Sequence, residues 1–107
     1  MIDERFKRSL CQLADAALQR NICFSVELNP EMWGMYFYRP WGNGIQQLFS
    51  LQILDESFKV SPKIDSFFVN VYGGRGYRQP AKPAKSFGQI RAAVQHLTQL
   101  LLRVDMP

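Results

Sequence analysis

The sequence predicts an α+β fold: an N-terminal helix, a three- or four-stranded antiparallel meander and a C-terminal helix, packed as a two-layer sandwich. Three observations carry this. Apolar residues recur with helical spacing at both ends of the chain, they alternate with a period of two between those ends, and clusters of Pro, Gly and Asn separate the alternating runs.

In the first helix, Phe6, Leu10, Leu13 and Ala17 fall on one face, widened by Ala14 and Leu18. Asp3 can cap its start, where a carboxylate also meets the positive end of the helix dipole. Asn21 is placed to close it in the left-handed region. A strand follows over 22–28, with Ile22, Phe24, Val26 and Leu28 alternating against Cys23, Ser25 and Glu27. Asn29-Pro30-Glu31 makes a turn into a second strand over 32–38, and Arg39-Pro40-Trp41-Gly42-Asn43-Gly44 makes another. Residues 45–54 suit either period. Strand is preferred over helix there because a meander continues naturally from a hairpin. After a polar connector over 55–65, Phe67, Val69 and Val71 mark a strand over 67–72. Residues 73–85 read as a loop, its glycines loosening the first half and its prolines extending the second. Ser86 and Gln89 have capping-box spacing. Phe87, Ile90, Val94, Leu97, Leu101 and Val104 then line the last helix, opposite Gln89, Gln95, His96, Gln99 and Arg103. Leu100 and Leu102 widen the apolar arc enough that both monomer and homodimer are compatible with it.

A length of 107 residues fits one domain, 1–107, with one core, and 47% apolar with 21% charged residues is an ordinary globular composition. No apolar run is long enough to span a membrane. The charged start reads as the beginning of a helix rather than a secretion signal. With Cys11 and Cys23 matching neither a redox pair nor a zinc set, the expected setting is a reducing cytoplasm.

Catalytic readings are weak at every candidate. His96 has no carboxylate near it in sequence and is expected to be a surface residue. Neither cysteine has a neighbouring cation placed to make it a nucleophile. The acidic pairs Asp3/Glu4 and Asp55/Glu56 point their carboxylates to different sides and suit caps and turns, so no metal is expected. Gly73-Gly74-Arg75-Gly76 lacks the third glycine of a dinucleotide loop and the Gly-Lys-Ser/Thr ending of a phosphate loop, so no cofactor is expected. The chain is read as a non-enzyme.

The charge distribution is more informative. Residues 1–65 hold seven Lys/Arg against eight Asp/Glu, whereas 66–107 hold six against Asp105 alone. Arg75, Arg78, Lys82 and Lys85, with Arg91 in the last helix, gather cations beside Tyr77, where guanidinium forks and a ring suit phosphate or an acidic protein patch. A second cluster, Trp33, Tyr36, Phe37, Tyr38 and Trp41, exceeds what one buried face needs, which leaves Tyr36, Tyr38 and Trp41 as candidates for contact with a partner. The expected function is a binding module: a small inhibitor or adaptor that occupies a protein or nucleoprotein with an acidic surface. The alternative is direct nucleic-acid binding through the region from Arg75 to Arg91.

Helix, meander, helix resembles the order of the double-stranded-RNA-binding domain, whose last helix starts with basic residues against phosphates; Lys82, Lys85 and Arg91 sit near the corresponding place. The likeness covers order and charge. The dense lysine-alanine pattern of that family is missing, and Pro83 interrupts the approach to the helix. In size and compactness the chain is also similar to small inhibitors of phages and mobile elements, anti-CRISPR proteins among them, which share no diagnostic motif.

Overall fold

The computed structural model describes residues 4–28, 32–54, 67–75 and 85–104. In chain order these form α1 (Glu4–Gln19), β1 (Cys23–Leu28), β2 (Met32–Trp41), β3 (Gly44–Leu54), β4 (Phe67–Arg75), β5 (Lys85–Phe87) and α2 (Ile90–Leu102). The strands make one antiparallel sheet in the order β1-β2-β3-β4-β5. Both helices lie on one face of it, α1 over the β1 side and α2 over β3, β4 and β5. The architecture is the expected α+β one, and residues 45–54 are strand.

Local chemistry explains the joints. Asn21 takes φ 55°, Ile22 N–H donates to Ala17 O at 2.9 Å and Asn21 N–H donates to Leu18 O at 3.1 Å. This is the paired closure of a Schellman motif, and it turns the chain directly into β1. The β2–β3 hairpin turns on Gly42-Asn43 alone, between paired Trp41 and Gly44. Gly42 holds φ 58° while Asn43 does not enter the left-handed region, the φ pattern of a type II′ turn, whose twist matches the flanking strands.

Three sequence expectations are corrected. Arg39-Pro40-Trp41 extend β2 rather than forming a wide turn. Pro40 is tolerated there because β1 pairs only as far as Tyr38, so the other side of β2 is open at the proline. The loop expected to run through residue 85 ends earlier, since Lys85–Phe87 form a fifth strand paired with Phe67–Val69. Ser86 therefore faces Phe68 across a ladder and makes no capping box. The N-cap of α2 is Gln89, with φ −132°, ψ 138° and no side-chain hydrogen bond.

One cluster forms the core between the layers. The helices contribute Leu13, Ala16, Ala17, Ala93, Val94, Leu97 and Leu101; the sheet contributes Met35, Phe37, Phe49, Leu51, Ile53, Phe67 and Val69. Each large side chain buried there contributes roughly 1.5–3 kcal/mol. A bulge interrupts the register between Phe37 and Tyr38 on one side of β3 and between Gln47 and Phe49 on the other, leaving Leu48 unpaired and buried. Among the described residues, no helix is long and apolar enough to cross a membrane.

Candidate binding surface

Alternation sends every second sheet residue away from the helices. With Met35, Phe37, Phe49, Leu51, Phe67 and Val69 in the core, the opposite face carries Ser25, Tyr36, Tyr38, Ser50, Gln52, Phe68, Asn70 and Tyr72. Tyr36 and Tyr38 are half-buried on this helix-free face, as their sequence spacing from Phe37 requires.

Beside the tyrosines runs a polar row. Ser25, Tyr36, Ser50 and Asn70 stand opposite one another across four strands. Asn70 Nδ2 donates to Ser50 Oγ and to Gln52 Oε1, both at 3.1 Å, and Ser50 Oγ shares a hydrogen bond of 3.0 Å with Tyr72 Oη. Ser50 is 0% and Asn70 4% exposed, so these bonds satisfy groups that would be costly to leave unpaired. The network fixes the β3–β4 register and holds the Tyr72 ring. A second seat is made by Gly34: a Cβ there would lie 2.7 Å from Tyr36 Cε2 and Oη, so the ring lies across the glycine. Sequence reasoning missed Ser50, Gln52, Asn70, Tyr72 and Gly34. The signal was the alternation itself, since Ser50, Gln52 and Asn70 interrupt apolar positions at a period of two.

Lys85 and Arg91 lie elsewhere. Lys85 and Phe87 share the helix side of β5, with Lys85 Nζ 5.7 Å from the Phe87 ring centroid. The His96 ring of α2 packs on Phe87 at 5.4 Å between centroids, tilted by 44°. His96 is thus partly buried rather than a plain surface residue. Burial lowers its pKa, and the nearby positive charges of Lys85 and Arg103 lower it further. Arg91 is exposed one residue into α2, whose first turn carries no acidic side chain. Lys85 thus lies on the helix side of the sheet beside Phe87 and His96, and Arg91 is exposed in the first turn of α2, both apart from Tyr36 and Tyr38. Arg75 ends β4 with its backbone opposite Gln46, and Trp41 ends β2 opposite Gly44. Tyr77, Arg78 and Lys82 fall outside the described residues.

Cys11 and Cys23 are free and exposed. Among the described residues, no group of three His, Cys, Asp or Glu side chains is close enough to hold a metal ion. The helix-free face carries a single charge among its described side chains, Glu27. No family model, curated protein or solved structure matches the chain.

Proposed function

We propose that this protein is a non-enzymatic binding module, an inhibitor or adaptor that acts by occupying a protein partner, and that it docks through the helix-free face of its sheet. The observation that carries the reading is the pairing of held tyrosine rings with a hydrogen-bonded Ser50–Asn70–Gln52 row on a face with no described cation. Tyrosines supply large amphipathic contact area at low cost in side-chain entropy, and flanking hydroxyls and amides supply adaptable hydrogen bonds. A ring held by its neighbours loses little freedom on docking, which favours affinity. Lys85, Arg91 and Arg103 sit where they would steer an acidic partner over longer range without entering the contact.

The test is affinity capture from native cell extract after nuclease treatment. Wild-type protein and Arg91→Gln should both recover one partner protein in stoichiometric amount, and the double variant Tyr36→Ala/Tyr38→Ala should lose it. Equal recovery by the tyrosine variant would place the contact elsewhere and sink the reading.

A second reading has its own observation. Arg91 lies in the first turn of a helix with neither a side-chain cap nor an acidic residue there, and exposed Lys85 is on the same helix side of the sheet, an arrangement suited to a phosphate backbone. Direct nucleic-acid binding would then use the helix side and not the tyrosines.

A further inference from the structure

The two edges of the sheet are built differently. β5 is three residues long and opens with Lys85, a short charged edge that discourages strand addition. β1 is six residues long, pairs with β2 in unbroken register from Cys23 to Leu28, and contains no lysine, arginine, proline or bulge. Among the described residues no strand pairs with its outer side. Among the described residues its backbone therefore presents an open row of donors and acceptors whose one protecting feature is the single charge of Glu27.

The side chains along that edge are also incompletely covered. Val26 points to the helix side with Phe24 yet is 41% exposed, and Leu18 of α1, the helix over β1, is 62% exposed. Leu18 and Cys11 lie on one flank of α1 and are exposed, whereas Ala16, Ser9 and Arg20 on the other flank are more covered. Since α2 packs beside α1 on the far side from β1, the exposed flank looks out over the open edge.

We infer that β1 pairs with β1 of a second copy of this chain, antiparallel about a two-fold axis through Ser25, to form a continuous ten-stranded sheet. The strand is complementary to itself in that register. Residues on the same face must oppose one another, so Phe24 meets Val26 of the second copy and Val26 meets its Phe24, covering the exposed valine twice. Glu27, the strand's one charge, meets Cys23 rather than another Glu27. It thereby approaches the end of the strand at which Arg20 enters, so the acidic end of each copy lies by the basic end of the other. A two-fold contact of this kind closes on itself and leaves no edge for further growth except the blunted β5. The inference stands apart from the partner reading, because its readout is the mass of the protein alone.

Sedimentation equilibrium or light scattering on the full chain should give twice the 12.4 kDa chain mass, falling to the single value on dilution. Val26→Lys, at a position already exposed, should give a folded monomer by circular dichroism, while Leu102→Lys on the other helix should remain dimeric. In a Cys11→Ser/Cys23→Ser background, Ser25→Cys sets two thiols across the axis at a spacing of about 4.5–5.5 Å between Cα atoms, which a disulfide spans, and air should link the copies. A wild-type chain that stays monomeric at every concentration overturns the inference. So does a dimer that survives Val26→Lys but not Leu102→Lys, or one in which Ser25→Cys fails to cross-link.

Discussion

His96 shows how a single side chain can tie fold stability to pH. Its ring rests on Phe87 of β5, and burial, followed by the charges of Lys85 and Arg103, holds its pKa below the ordinary 6.5. The unfolded chain therefore takes up a proton at a higher pH than the folded one. The associated stability is fully present above that ordinary value and is lost as pH falls from it through the lower folded value. Wild-type protein should lose stability between about pH 7.5 and about pH 5.5 in urea titrations, and His96→Gln should lose less across the same interval. An equal loss in both proteins would show that His96 does not carry the dependence. At the same scale, alternation in the sequence set Tyr36 and Tyr38 on the strand face opposite Phe37, and the packing of both helices on Phe37 decides which of the two faces is the core. The sequence did not reveal the Ser50–Asn70–Gln52 bonding, since three polar residues on two strands separated by a connector acquire a common purpose only when the register sets them side by side.

Among the elements, α1 and the pairing of β1 with β2 follow most directly from sequence, because each is written in local pattern: an i, i+4, i+7 stripe closed by Asn21, and two alternating runs over 22–28 and 32–38. β5 was not legible. Three residues carry too little pattern, and Lys85–Phe87 become a strand only because Phe67–Val69 offer a long-range ladder. That pairing also removed Ser86 from the capping position and left Gln89, a poor cap, in extended geometry with no side-chain bond. Gln89→Asp should repair this. A carboxylate there can accept from N–H groups of the first turn and meets the positive helix end, in a turn that holds Arg91 and no acid. The expected gain is about 1 kcal/mol, or roughly 4–8 °C in melting temperature. An unchanged or lowered melting temperature would mean that the helix start is already satisfied in another way.

At the scale of the whole fold, the decisive property of the described residues is the separation of charge from rings. Exposed Lys7, Arg8, Arg91 and Arg103 belong to the helical layer, accompanied there by Asp15, and Lys85 lies on the helix side of β5. Among the described side chains, the tyrosine face beyond the sheet has only Glu27 as a charge. The sequence offered basic and aromatic clusters together as candidates, and among the described side chains the two-layer packing sets Lys85 and Arg91 on the helix side and Tyr36 and Tyr38 on the opposite face of the sheet. A single-strand binder of the stacking type needs cations and rings in one groove. Polyanion binding by this chain should therefore be an electrostatic property of the helix side. In anisotropy titrations with a labelled oligonucleotide, affinity should be weak and fall linearly with salt on logarithmic axes. Lys85→Gln and Arg91→Gln should each shrink that slope by about 1. Tyr36→Ala should leave both affinity and slope unchanged. Base stacking on an aromatic ring is worth about 1–3 kcal/mol, so a loss of roughly tenfold or more on Tyr36→Ala would place bases on the sheet and make nucleic acid, not protein, the partner of that face.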